Sequence, residues 1–277
     1  MFKDIKQVMK DSVLYGIGNV AVKLVGFILI PLYTDAEYFS TADYGLMGLL
    51  EVTSQILIAV MGLSLYSGLI RWYWDAEYRD KQKTIFFTTL LFTILTSLCI
   101  GSVLWLNIDE LSALLVQQEG YSLGGELPYI LQLLILTSML GAVVEVPQNL
   151  LRLQRKPIYY SLTNIVRLFA TLVLTIYFTI SLHRGVSGVY EAQLVGIVIQ
   201  LLMVLPLVIK NSSCRVDRKC TIQLLVYSYP LVFPAIVGSL LTVFDRYIIN
   251  HFQGLDDVGF YSLSLIHISE PTRLALI

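Results

Sequence analysis

Charge is what this sequence has least of. Of its 277 residues 14% are Asp, Glu, Lys or Arg and 56% are hydrophobic, with a mean hydropathy of +0.72. A soluble domain carries about 25% charged residues, so the composition excludes one and marks an integral membrane protein. The net charge of −1 says nothing about nucleic acid, because what matters is where the charges lie, but there is no basic patch to read and no nucleic-acid partner is expected. Cysteine is sparse as well. Cys99 sits in an apolar run, while Cys214 and Cys220 sit in a polar loop with no histidine nearby. That spacing does not make a four-ligand zinc site, and no disulfide is expected in a reducing compartment. No cofactor, metal or catalytic group is called for. Polar stretches long enough for an extramembrane domain are missing too, since the longest loop covers only about residues 107 to 127.

What is present is a series of apolar runs. A bilayer core about 30 Å thick needs roughly 20 apolar residues in a helix, because only a helix satisfies its own backbone there. Seven stretches qualify, at about 12–33, 44–68, 84–106, 128–150, 158–182, 188–209 and 222–250. The first follows the polar start Met1–Ser12, is longer than a signal-peptide core and lacks a small-x-small cleavage pattern, so it reads as a retained span. The expected fold is therefore all-α, a polytopic membrane protein of about seven transmembrane helices.

The loops sort by charge. Lys3, Lys6 and Lys10, then Arg71, Arg79, Lys81 and Lys83, then Arg152, Arg155 and Lys156, then Lys210, Arg215, Arg218 and Lys219 fall on one side of a seven-span arrangement. The alternate loops hold Asp35, Glu37, Asp43, Asp109, Glu110, Glu119, Glu126, Asp256 and Asp257 with Arg184 as the one basic residue. The positive-inside rule places the N-terminus in the cytoplasm. A single misplaced span would scramble this alternation.

Ionisable residues inside spans cost about 2.5–3.5 kcal/mol near the centre on insertion scales, so they should face protein or water. These are Lys23, Glu51, Glu145, Arg167 and, toward the end of the seventh span, Asp245 and Arg246. Lys23 follows Tyr15 and Asn19 at four-residue steps, which aligns them on one helix face. Glu51, Gln55 and Gly62 make a similar face on the second span, Tyr160, Asn164, Arg167 and Thr171 on the fifth, and Pro230, Pro234, Gly238 and Thr242 lead to Asp245 on the seventh. Two readings stand beside each other: a buried Lys23–Glu51 ion pair with Arg167 reaching an interface, or a polar path through the membrane. Pro230 and Pro234 are expected to bend the seventh helix, as transporters use broken helices to shape a midplane cavity.

The segment Pro31–Glu51 carries a resemblance. Pro31-Leu32-Tyr33-Thr34 ending one span and Tyr44-Gly45 opening the next resemble the first hairpin of oligosaccharide flippases, the polysaccharide biosynthesis proteins of the multidrug/oligosaccharidyl-lipid/polysaccharide exporter superfamily. A second block is similar to that family's seventh span and the start of its eighth: Tyr227, Ser228, Pro230, Asp245-Arg246-Tyr247, then Val258-Gly259 and Tyr261-Ser262. The resemblance implies an N-terminal six-helix lobe plus the first helix of a second lobe. Its boundaries are 1–209 for the lobe, 210–221 for a cytoplasmic inter-lobe loop and 222–262 for the first helix of the second lobe and the start of the next.

It also implies a transporter rather than an enzyme, moving a polyprenyl-diphosphate-linked oligosaccharide across the bacterial plasma membrane by alternating access. Membrane lipids and other polysaccharide assembly proteins are the further partners it implies. A diphosphate crossing a low-dielectric region needs a counter-charge, for which Lys23, Arg246 and Arg167 are the candidates. Asn19, Glu51, Gln55 and Asp245 are candidates for polar or ion-pairing roles in the same cavity. Two alternatives remain open: a multidrug cation antiporter of the same superfamily, expected to place carboxylates deep in the first lobe, and a membrane-embedded glycosyl polymerase or transferase, expected to show a large outer loop.

The end of the chain departs from that family. An eighth span is expected after Tyr261-Ser262, yet Glu270 and Arg273 would sit in hydrocarbon and Pro271 would cut the helix. Leu263 to Arg273, Leu-Ser-Leu-Ile-His-Ile-Ser-Glu-Pro-Thr-Arg, is identical to one reading frame of a common transposase sequencing adapter. Residues 263–277 are therefore read as adapter-derived, with no functional weight on His267 or Glu270.

Overall fold

In the computed structural model, residues 28–115, 125–213 and 215–274 are described, residues 266–274 as backbone alone. Helical residues 28–33 end the stretch before a turn at 34–40. Nine labelled helices follow: α1 Thr41–Gly62, α2 Leu65–Trp72, α3 Gln82–Leu106, α4 Ile108–Leu115, α5 Leu127–Leu153, α6 Pro157–Ile176, α7 Gly185–Asn211, α8 Arg218–Phe252 and α9 Leu255–Leu274. Among the described residues six helical stretches have the length and apolarity to cross a membrane, starting at Thr41, Tyr78, Leu127, Pro157, Gly185 and Arg218. They coincide with the second to seventh expected spans. The first, 12–33, lies largely outside the described residues.

Local chemistry sets the helix ends. Ser40 caps α1 in a reciprocal box with Asp43: the Asp43 N–H donates to Ser40 Oγ at 3.1 Å and the Ser40 N–H to Asp43 Oδ2 at 2.8 Å. Pro128 and Pro157 stand in the first turns of α5 and α6, where the missing N–H is no loss. Asp217 caps α8, accepting from the Lys219 N–H at 2.9 Å. Gly254, at φ +96°, makes the left-handed turn between α8 and α9.

Two expectations about breaks are corrected. The second span, read as 44–68, is interrupted: Leu63 and Ser64 have φ of +45° and +51° and separate α1 from α2. Two adjacent non-glycine residues in this region cost on the order of 1–3 kcal/mol each, and no Gly-Pro pattern announces them. The seventh stays helical through Pro230 and Pro234, each proline removing a single backbone bond. Likewise α9 continues past Pro271 to Leu274.

Among the described residues two large apolar cores hold the bundle, with a smaller cluster of Met61, Ile135 and Ala142 besides. One joins Leu46, Leu49 and Leu50 of α1 to Ile130, Leu131 and Leu134 of α5 and to Val186, Val189 and Tyr190 of α7, with Leu255 of α9 against it. The other, at the opposite end, joins Leu65 and Leu69 of α2, Ile85 and Phe86 of α3, Leu150 and Leu151 of α5, Leu207 of α7 and Leu224 of α8.

The loops group by charge as the alternation requires. At the basic end Gln154 Nε2 donates to Asn211 Oδ1 at 2.9 Å and to Tyr73 Oη at 3.1 Å, and Lys81 pairs with Asp217. At the acidic end Tyr38 stacks on His183, Arg184 pairs with Glu191 at 3.2 Å, and Asn250 Nδ2 donates to the Leu115 carbonyl at 2.8 Å. A protein that gathers alternate loops at opposite ends of six apolar helices is a multi-pass membrane protein.

Candidate functional site

The polar cavity of the bundle is built where α1, α7, α8 and α9 meet. It has a volume of about 280 Å³ and is lined by Tyr44, Met47, Gly48 and Glu51 of α1, Val189, Tyr190 and Gln193 of α7, Arg246 of α8, Ser262 of α9, and Tyr33. The i, i+3, i+4, i+7 run from Tyr44 to Glu51 puts one face of α1 along the wall. Glu51 is exposed at mid-helix. Such a carboxylate is tolerated in a membrane only where it faces water or protein.

The adjacent triplet Asp245-Arg246-Tyr247 ties α8 to its neighbours. Arg246 Nη1 donates to the Gly48 carbonyl at 3.0 Å, Tyr247 Oη shares a 2.7 Å hydrogen bond with Thr53 Oγ1, and Tyr261 of α9 donates its hydroxyl proton to Asp245. Asp245 also accepts from the Arg246 N–H at 2.8 Å. A guanidinium has five N–H donors. Only one of Arg246's is engaged by the Gly48 carbonyl, leaving the fork able to take an anion. Ser262 Oγ is buried on the same wall with no hydrogen-bond partner among the described residues.

Arg167 is placed elsewhere. It does not line the cavity but lies in the seam between α5, α6 and α7. Arg167 Nη1 donates to Gln200 Oε1 at 3.1 Å, Gln200 Nε2 to Asn164 Oδ1 at 3.0 Å, and Gln148 Nε2 to Thr163 Oγ1 at 2.9 Å. The polar stripe of the fifth span thus faces its neighbours, as amphipathicity predicts, and its partners Gln148 and Gln200 come from two other helices. Glu145 is half-buried on α5, with a carboxylate oxygen 4.0 Å from where a Cβ on Gly62 would stand. Gln55 is exposed one turn beyond Glu51 and does not reach the cavity. Pro230 and Pro234 are exposed along α8. Lys23 and Asn19 lie outside the described residues.

The sequence reading missed Ser262, Gln193 and the tyrosines as wall residues, because uncharged groups in a span give no energetic alarm. It also missed Gln148 and Gln200, whose polarity shows only when the helices are brought together. Among the described residues no group of three His, Cys, Asp or Glu side chains gathers as a metal site.

A polar cavity between the apolar helices of this bundle belongs to a polytopic membrane protein with a polar site among its helices. The chain belongs to the polysaccharide biosynthesis protein family, whose pattern matches residues 8–264. No curated protein matches it closely enough to count as a relative.

Solved structures agree on the fold. A MOP-superfamily transporter from Pyrococcus furiosus, described as having a binding pocket of reversed polarity, superposes with a TM-score of 0.67 at 16% identity, over 96% of this chain and 60% of that one. An outward-facing multidrug resistance MATE family transporter of the MOP superfamily gives 0.68 at 18% identity, over 96% and 60%. A Vibrio cholerae MATE transporter gives 0.62 at 17% identity, over 85% and 53%. At these identities the likeness is one of fold. The chain spans between 53% and 60% of the length of these three structures.

Proposed function

We propose that the chain is the N-terminal portion of a transporter that carries a polyprenyl-diphosphate-linked oligosaccharide from the cytoplasmic to the outer leaflet of the bacterial plasma membrane, its basic end in the cytoplasm. The observation that carries this reading is Arg246: a guanidinium on the wall of a mid-bundle cavity, held by one carbonyl and with its remaining donors uncommitted to it. Diphosphate oxygens are bound best by such a fork, and moving the group requires no bond to break, so neither a catalytic base nor a cofactor enters. Lys23, on the preceding span, is assigned the second positive charge. Arg167 is assigned to helix packing. The test is surface-polysaccharide export by the complete protein carrying Arg246→Ala or Lys23→Ala. Export falling about tenfold or more at normal expression supports the assignment; normal export from both variants overturns it.

A second reading, a multidrug cation antiporter, draws support from the same wall. Glu51 and the rings of Tyr33, Tyr44 and Tyr190 surround the space, and a carboxylate with aromatic faces suits an organic cation. Glu51→Gln separates the two: loss of organic-cation efflux with export intact favours the antiporter, and the reverse favours the flippase.

A further inference from the structure

The wall of the cavity contains a repeat. Tyr33 and Tyr247, Asp43 and Asp257, and Gly45 and Gly259 are each separated by 214 positions, as are Thr41 and Leu255, the first residues of α1 and α9. The contact between those helices has the same symmetry. A Cβ added to Gly45 would lie 1.9 Å from the Leu255 carbonyl oxygen, and one added to Gly259 would lie 2.4 Å from the Thr41 carbonyl oxygen. Each glycine receives the carbonyl four residues before the other. Three residues further along both helices, Gly48 and Ser262, again 214 apart, face each other on the cavity wall, with 3.8 Å between a Gly48 Cβ and the Ser262 Cβ.

The crossing therefore borders the acidic-end part of the cavity, beside Tyr44, Gly48 and Ser262 of its wall, and backbone meets backbone there. A side chain can swing away when two helices separate and return. Backbone cannot, so contact at this distance has only two arrangements, closed with both glycines engaged or open with both released.

We propose that the reciprocal Gly45–Gly259 crossing is the gate that closes the cavity toward the acidic-loop side. This rests on the transporter reading but not on the identity of what is carried, and its test needs no substrate. Cys99, Cys214 and Cys220 are first replaced by serine in the complete protein. Gly48→Cys with Ser262→Cys has the Cβ separation of a disulfide, which averages about 3.8 Å. It is expected to cross-link under mild oxidation and to shield Met47→Cys from a membrane-impermeant maleimide supplied on the acidic-loop side.

In the chain without the cross-link, Gly45→Ala or Gly259→Ala is expected to raise the rate of Met47→Cys labelling from that side about tenfold. Gly238→Ala, where no atom of the described residues lies within 4 Å of an added Cβ, is expected to leave it unchanged. Failure of the cysteine pair to cross-link overturns the gate, and this measurement keeps both glycines should the alanine variants not fold. So does equal labelling in Gly45→Ala, Gly259→Ala and the parent, or an equal rise in Gly238→Ala. Cross-linking and labelling as expected, with normal export by Arg246→Ala and Lys23→Ala, would sink the diphosphate assignment and leave the gate standing.

Discussion

Arg246 and Arg167 are both arginines within apolar helices, yet their surroundings assign them different work. Arg246 meets a backbone carbonyl and an open cavity; Arg167 meets the amide of Gln200, itself bonded to Asn164. The Arg167 seam makes a prediction. Gln200→Leu removes the acceptor and leaves a guanidinium without it at mid-helix, so stability in detergent should fall by about 1–3 kcal/mol. Arg167→Met combined with Gln200→Leu should recover part of that loss, because removing both partners is milder than orphaning one. A double variant no more stable than Gln200→Leu alone would refute the seam as the source of the effect.

Asp217 offers a residue-scale test outside the spans. The Lys81 ammonium hydrogen-bonded to it, with the backbone N–H groups of Cys220 and Lys219, holds its carboxyl below the ordinary range. A depressed carboxyl contributes stability above its unfolded value, about 3.9, and loses it as pH falls through the lower folded value. The melting temperatures of the parent and Asp217→Asn should therefore differ at neutral pH and converge below about pH 4. A difference that persists undiminished in acid would exclude the charge as its cause.

At the scale of elements, close helix packing is set by small residues. A Cβ on Gly196 of α7 would stand 2.1 Å from Thr171 Oγ1 of α6. Gly196→Ala is expected to destabilise by about 1–3 kcal/mol, and adding Thr171→Ala should restore most of it; no recovery would place the strain elsewhere.

The elements also show how far the sequence could be read. Hydropathy and charge alternation located the second to seventh spans within several residues, since burial in hydrocarbon demands long apolar runs whatever the tertiary fold. The αL pair at Leu63 and Ser64 escaped, because nothing in Gly-Leu-Ser is forbidden in a helix and only packing of α2 on α8, with Ser64 Oγ donating to the Leu231 carbonyl at 3.3 Å, selects the break. Pro271 gave the opposite error: local chemistry pointed to a cut, yet α9 runs through it to Leu274. For the site, charge was legible and depth was not. Glu51 was found as a mid-span charge and Arg246 as one toward the end of its span, but their sharing of one wall, and Arg167's absence from it, depend on helix rotations that no single segment encodes.

At the scale of the whole molecule, the described residues hold a large core at each end and a smaller cluster of Met61, Ile135 and Ala142, with a polar cavity bordering the acidic-end core. Its loops divide cleanly, which a labelling experiment can check. In intact cells, single cysteines at Glu37 or Asp256 should react with an impermeant thiol reagent, whereas those at Arg155 or Lys219 should react only after permeabilisation. The reverse pattern would invert the orientation, and a mixed one would refute the span count.

The contact of Gly45 with Leu255 and of Gly259 with Thr41 has the form of an isologous interface, in which one patch is complementary to itself. Neither glycine can therefore be altered alone, because a methyl gained on either helix presses on the backbone of the other.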